Sequence, residues 1–377
     1  MQKIKELNVL YDDRKVGTLV VYKNYLAVFE YTAEWIAEGF SISPYSLPLF
    51  KKVFMPKADP FDGVFGVFAD SLPDGWGRLL VDRVLVKNNI VPAALTPVDR
   101  LAIVGSSGMG ALRYEPEYKL PVKNADLDLD KIAAECSEIL ATNYSPNLDE
   151  LFRLGGSSGG AKPKILTSID GEDWIIKFSA REDSKNIGLE EYSYSLCAKK
   201  CGIEMPETRL FSSNNCSGYF GVKRFDRTVD ADKKAKRVHM VSVSGLLETS
   251  HRIPNLDYDI LMKLTLNLTK DFTEVEKIFR LMCFNVFAHN RDDHSKNFAF
   301  LYDDKENRWK LSPAYDLTYS NSIGGEHATA VHGNGFNPGM EDILQVADGI
   351  GMNNKKAKQI ALDIQDCVNT ELKEYLR

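Results

Sequence analysis

His289-Asn-Arg-Asp-Asp-His-Ser-Lys-Asn297 and, ending twenty-four residues past Asp292, Leu311-Ser-Pro-Ala-Tyr-Asp316 decide how the rest of the chain is read. Asn, Asp and Ser crowd the first stretch, a composition that favours a loop over a helix. It offers a carboxylate at Asp292 and a carboxamide at Asn297, and the second stretch adds a carboxylate at Asp316. Transfer of a phosphoryl group asks for such a set: one carboxylate at the attacking oxygen, and two oxygen ligands for a hard divalent cation.

The Asp292/Asn297 spacing is the D-x-x-x-x-N relation of the protein-kinase catalytic loop, where the Asp takes the substrate hydroxyl's proton and the Asn holds Mg²⁺. Asp316 stands in the place of the second metal-binding Asp, on a turn beyond a hairpin. Upstream of the loop, Tyr258 to Leu268 and Phe272 to Ala288 carry apolar residues every three or four positions and read as helices. Further back lies Gly155-Gly-Ser-Ser-Gly-Gly-Ala-Lys-Pro-Lys164. Its second glycine falls where a Walker A motif needs it, but Ala161 replaces the required Lys, so it is not a P-loop. Glycines still let successive backbone N–H groups close on an anion, and Lys162 and Lys164 add charge. Lys177 ends the alternating run Trp174–Phe178, where a kinase carries the lysine that grips α- and β-phosphates. Its partner would be Glu190 or Glu191 on the next helix; the sequence leaves the choice open.

Around this core the pattern is ordinary. Leu7–Tyr11, Lys15–Tyr22 and Tyr25–Tyr31 read as short strands, and Pro73-Asp-Gly75 marks a turn before a helix at Trp76–Leu85. Residues 116–126 are the linker candidate. Helices are expected at Leu129–Ala141, Asn147–Leu154 and 186–201, strands at Ile165–Thr167, Thr208–Ser212 and Tyr219–Phe225, and an Asp170-Gly171 hairpin signal lies between the first strand and Trp174–Phe178. A β-rich part with a glycine loop, followed by a helical part with the Asp/Asn/Asp set, is the order a kinase has.

Composition sets the bounds. The 377 residues exceed one ordinary domain, and a net charge of −6 argues against a general nucleic-acid coat. The basic run Lys233-Lys-Ala-Lys-Arg237 reads as a solvated loop rather than a nucleic-acid contact. Cys136, Cys197, Cys201, Cys216, Cys283 and Cys367 fit neither a disulfide framework nor a zinc spacing, and Cys197-x-x-x-Cys201 lacks a second ligand pair. The polar start and the lack of an apolar run of about 20 residues point to a reduced, cytoplasmic protein without membrane contact. A metallohydrolase built on His289, Asp292, Asp293 and His294 is the competing chemistry. The loop character of the segment counts against it, and His327 and His332, the only histidines noted nearby, read as loop residues without a role.

Five segments in order resemble the HipA-like toxin kinases, serine/threonine kinases of bacterial toxin–antitoxin modules. Phe68-Ala-Asp-Ser-Leu-Pro-Asp-Gly-Trp-Gly-Arg78 and Val104-Gly-Ser-Ser-Gly-Met-Gly-Ala-Leu112 are similar to the family's N-terminal subdomain. Gly155–Lys164 looks like its phosphate loop, Val222-Lys-Arg-Phe-Asp-Arg227 like its hinge, and Asp292–Asn297 with Pro313–Asp316 like its catalytic and metal segments. The resemblance implies an α+β, protein-kinase-like bilobal fold with a β-rich N-lobe, a helical C-lobe and an N-terminal β-rich subdomain. The expected boundaries are residues 1–120 for the subdomain, 121–227 for the N-lobe and 228–377 for the C-lobe.

For the site, the resemblance implies Asp292 as catalytic base, and Asn297 and Asp316 as Mg²⁺ ligands. ATP would be held by Ser158, Gly159, Gly160, Ala161, Lys164, Lys177 and His294, with Lys223 (through its backbone) and Phe225 at the adenine. Autophosphorylation is expected on Ser157 or the adjacent Ser158; a phosphoserine adds roughly two negative charges to a loop meant to cradle phosphates. Implied partners are a HipB-like helix-turn-helix antitoxin, DNA only through that antitoxin, and a protein substrate such as an aminoacyl-tRNA synthetase. A nucleotide-binding partner of the antitoxin with weak or absent transferase activity is the alternative. Lys223, where some relatives have Glu, and a short segment after Asp316 depart from the family pattern.

Overall fold

The computed structural model describes residues 3–23, 25–118, 128–142, 147–229, 235–322 and 324–376. Most of the linker candidate at 116–126, and Lys233 and Lys234 of the basic run, lie outside these. The chain divides into two compact units, Met1–Lys185 with Phe211–Thr249, and Asn186–Leu210 with Ser250–Arg377.

The first unit opens with an antiparallel five-stranded sheet, in the spatial order Val53–Phe54, Leu26–Tyr31, Arg14–Tyr22, Glu6–Tyr11, Leu112–Glu115. Period-two alternation decides which face is buried: Leu7, Val9 and Tyr11 turn inward from one strand. They meet an aromatic layer in which Tyr11 lies 5.5 Å from Phe40 and Phe29 lies 5.1 Å from Phe68, centroid to centroid. Helices complete this region. Thr96 and Asp99 form a capping box at the start of Pro97–Val104.

A second core in the same unit supports the glycine loop. Helices Gly75–Lys87, Leu129–Thr142 and Leu148–Gly155 pack Trp76, Leu80, Val84, Ile139 and Leu151 against Ile165, Trp174 and Ile176. The last three come from a hairpin, Lys164–Ile169 with Glu172–Lys177. Its reversal at Asp170-Gly171 has φ of 54° and 78°, the two left-handed residues that a tight hairpin turn demands. Tyr219–Lys223 adds the next antiparallel strand, with Trp174 opposite Lys223.

The second unit is mainly helical: Ile187–Lys200, Tyr258–Thr269, Phe272–Phe287, Met340–Gly349 and Asn354–Glu371. Two of these helices follow each other directly, because Lys270 takes a left-handed conformation (φ 57°) and Asp271 caps the next one, accepting from the Thr273 N–H at 2.9 Å. Val275, Ile278, Phe279 and Met282 form the buried stripe of Phe272–Phe287. Buried Glu274 on that helix accepts the Leu311 N–H at 2.8 Å, which ties down the hairpin Ala299–Asp303/Arg308–Leu311 leading to Asp316. Among the described residues, no helix is long and apolar enough to cross a membrane.

Candidate active-site elements

The loop after Phe272–Phe287 is shaped by buried side chains. Asn290 donates its amide to Asn285 Oδ1 at 2.9 Å; Asn285 donates to the Tyr258 hydroxyl at 2.9 Å; Tyr258 donates to Asp293 at 2.9 Å. Asp293 also accepts from His327 Nδ1 at 3.0 Å and the Thr329 N–H at 3.1 Å, and Thr329 Oγ1 donates to its carbonyl. Its carboxylate is fully buried, and the Tyr258, His327 and Thr329 N–H donors to it offset part of the cost of that burial. Burial, together with the Asp293 charge, pushes the Tyr258 phenol well above its ordinary value, so it remains a donor. His289, with φ of 52°, turns the chain out of the helix; burial and then Arg291 and His327 lower its pKa and favour the neutral ring.

With Asp293 anchored inward, its neighbour Asp292 is exposed. Asn297 donates its amide nitrogen to the Asp292 carbonyl at 2.7 Å, which orients the carboxamide. His294 stacks edgewise on His251 with centroids 5.3 Å apart, and its Nδ1 is buried without a hydrogen-bond partner among the described residues. Asp316 takes a left-handed φ of 59°, unusual for a non-glycine residue. Next to it, the Tyr315 hydroxyl donates to the Lys296 carbonyl at 2.6 Å, linking the Asp316 segment to the loop. A carboxamide oxygen and a carboxylate are hard donors, so this set suits Mg²⁺ better than a thiophilic ion.

In the first unit the glycine loop runs over the start of helix Gly75–Lys87. The Trp76 N–H donates to the Gly160 carbonyl at 3.0 Å and the Trp76 indole to the Lys164 carbonyl at 3.1 Å, while the Gly160 N–H donates to the Asp74 carboxylate. A Cβ at Gly75 would lie 2.5 Å from the Gly160 carbonyl oxygen, and one at Gly77 would collide with the Ser158 carbonyl. Gly160 itself has φ of 82°. Ser158 is 1% exposed and its hydroxyl donates to the Gly155 carbonyl at 2.6 Å. Ser157 is half-buried and lines, with Arg100 and Arg153, a cavity of about 250 Å³. Gly159 is half-buried and Ala161 exposed, Lys164 starts the hairpin opposite Lys177, and Lys162 pairs with Asp183 at 3.3 Å.

Lys177 Nζ lies 5.7 Å from the Phe220 ring centroid. On helix Ile187–Lys200, Glu191 is buried (5% exposed) and Glu190 half-buried. The Lys223 side chain pairs with Glu172. Phe225, half-buried, sits between two buried charges. Arg224 and Arg227 both reach the Asp226 carboxylate at 2.8 Å, the Gly110 N–H donates to it at 2.7 Å, and Arg227 caps the Gly108 carbonyl at 2.8 Å. Burial would raise the Asp226 pKa, but the two guanidiniums and the Gly110 N–H outweigh it and hold the group at about 2. The glycine-rich 104–112 segment is therefore pinned to the 222–227 segment by a fully satisfied ion cluster.

Three groups escaped sequence reasoning. Asp293 and His327 form a buried pair; His327 is 4% exposed, not the idle loop histidine expected. Its signal is absent from the local sequence, since the two residues are 34 apart. Asp74, Gly75 and Gly77 clamp the glycine loop, and here a signal existed: a glycine within a helix costs about 1 kcal/mol and asks for a reason. His251, also overlooked, touches His294.

The model of the HipA N-terminal domain matches residues 7–115, and that of the HipA-like C-terminal domain residues 156–372. A Sinorhizobium fredii protein named "Putative kinase Y4mE" is 27% identical over 342 residues, spanning 83% of this chain and 77% of the relative. A Haemophilus influenzae protein named "Putative kinase" is 25% identical over 240 residues, 53% of this chain and 68% of the relative. Among solved structures, the Shewanella oneidensis MR-1 toxin–antitoxin complex of HipA, HipB and operator DNA supplies a match with a TM-score of 0.72 at 17% identity, covering 98% of this chain and 90% of the matched one. That likeness establishes a shared kinase-like α+β fold, and with both family domains matched in order along the sequence, the chain belongs to the HipA-like family.

Proposed function

We propose that the chain is an ATP- and Mg²⁺-dependent serine/threonine protein kinase, the toxin of a toxin–antitoxin module. One observation carries the reading: Asp293 is locked inward by three side-chain and backbone donors, which leaves Asp292 exposed and Asn297 oriented on the same loop. In this reading Asp292 accepts the proton of the attacking hydroxyl, and the reaction relies on positioning more than on covalent chemistry. Asn297 and Asp316 would hold Mg²⁺, which neutralises charge on the phosphates when bound. Lys177, Lys164, His294 and the loop Ser158–Ala161 would contact the phosphates; the Lys223 backbone and Phe225 would contact the adenine.

Exposure favours Ser157 over Ser158 as the autophosphorylated residue, because the Ser158 hydroxyl is buried and bonded to Gly155. The Shewanella structure holds its HipA with HipB and operator DNA, which supports an antitoxin partner and indirect contact with DNA here. The protein substrate is assigned by class only, a translation protein such as an aminoacyl-tRNA synthetase. Incubation with γ-labelled ATP and a bacterial extract tests the reading. Wild-type protein should label a discrete protein band, and Asp292→Asn should not. Equal labelling by both would refute the assignment of Asp292; no labelling, with nucleotide binding intact, would replace the kinase by a nucleotide-dependent binding partner of the antitoxin.

A further inference from the structure

Three cysteines excluded from metal binding on sequence spacing meet in the second unit. Cys197 lies in the last turn of helix Ile187–Lys200, Cys201 caps that helix, and Cys367 belongs to helix Asn354–Glu371. Their sulfur atoms all lie within 4.8 Å of one another. The first two are four residues apart, the spacing that puts side chains on one helical face. Sequence alone could not find the third, 166 residues beyond Cys201. Contacts on both sides hold the two elements together: Ser193 Oγ and the Tyr375 hydroxyl are 3.1 Å apart, and Lys200 Nζ lies 2.6 Å from Glu371.

We propose that Cys197, Cys201 and Cys367 form a three-thiolate site for a thiophilic d¹⁰ cation of the zinc group. Zinc–sulfur bonds of about 2.3 Å would set tetrahedral sulfurs about 3.8 Å apart, so the thiols need to draw in by at most about 1 Å. Cys197 and Cys201 are 1% and 7% exposed, and Cys367 is half-buried, which shields two ligands and leaves a way in beside the third. Binding exchanges three thiol protons for one divalent ion and leaves a net single negative charge near the Lys200–Glu371 pair. A disulfide would use only two of the three sulfurs and would need an added oxidant; the metal uses all three. The site would staple the C-terminal helix to the helix that carries Glu191.

The test uses the reduced full chain, titrated with Cd²⁺ under the ultraviolet thiolate-to-metal absorption band and with Zn²⁺ under thermal unfolding. One equivalent of Cd²⁺ should saturate a band of three-thiolate intensity, and Zn²⁺ should raise the unfolding midpoint. Cys367→Ser, at the half-buried position, should fold as the wild type by circular dichroism yet lose the band and the shift. Cys216→Ser, in the other unit, should keep both. No saturable band, or an equal band in Cys367→Ser, would overturn the site. Loss of two free thiols on exposure to glutathione disulfide, without metal uptake by the reduced form, would replace it with a disulfide.

Discussion

Between His289 and Asn297 the backbone is held by buried side chains, whereas between Gly155 and Lys164 it is held by the close approach of other backbone. The first loop has the chain Asn290–Asn285–Tyr258–Asp293, with His327 and Thr329 closing it. The second has glycines at 75 and 77 that let loop backbone approach where a Cβ would collide, a left-handed Gly160, and the Asp74 carboxylate on one N–H. A buried polar network is costly to break and so resists rearrangement. A glycine loop near the surface, with a half-buried serine in it, can change conformation when that serine gains charge. Within one protein, then, the candidate catalytic loop is held by a buried polar network and the candidate phosphate loop by backbone packing at glycines.

The largest expected effect breaks the chemistry and leaves both loops standing. Asp292→Asn, nearly isosteric at an exposed position, should lower phosphoryl transfer by about 10² to 10⁴-fold while the protein stays folded by circular dichroism. Asp293→Ala should do the opposite. It orphans Tyr258, His327 and the Thr329 N–H, so stability to urea should drop by about 3 to 5 kcal/mol, and activity should be lost with it. If Asp293→Ala cost less than about 1 kcal/mol, the fixed loop would not be fixed by this network.

In the first unit, acid tests the Asp226 cluster. The folded group titrates at about 2 against 3.8 for a free carboxyl, so its contribution is complete above about pH 4 and lost as the pH falls toward 2. The urea midpoint should therefore decline across that window, and Asp226→Asn should flatten the decline. On the glycine loop, Gly77→Ala should weaken ATP binding by about tenfold and cost about 1 to 3 kcal/mol, because its Cβ meets the Ser158 carbonyl. Calorimetry of ATP binding reads the first effect. Smallest of all, Ser157→Ala should hold stability within about 0.5 kcal/mol of wild type while removing the expected phosphosite.

Much of the fold was legible because its signals are local. The strands Glu6–Tyr11 and Arg14–Tyr22, the Asp170-Gly171 turn and the helix Phe272–Phe287 follow from alternation, turn chemistry and a 3.6-residue stripe, each visible in a window of a dozen residues. Asp292, Asn297 and Asp316 were proposed as site residues the same way, by spacing. What stayed hidden was set by distant residues: the inward turn of Asp293 depends on Tyr258, His327 and Thr329, and the inward choice of Glu191 over Glu190 depends on how its helix packs. Helix Ile187–Lys200 buries Gly188, Glu191, Tyr194, Ser195 and Cys197, a mixture of small, charged and aromatic residues that no hydropathy stripe could announce. The grouping of Cys367 with Cys197 and Cys201 belongs to the same class of long-range fact.

The most direct test of the central claim is intact mass after incubation with Mg-ATP, for wild type and Asp292→Asn side by side. The account predicts a gain of one phosphate, about 80 Da, in the wild type alone, mapped to Ser157. The same gain in Asp292→Asn, or a phosphate on the buried Ser158 with Ser157 unmodified, would contradict it.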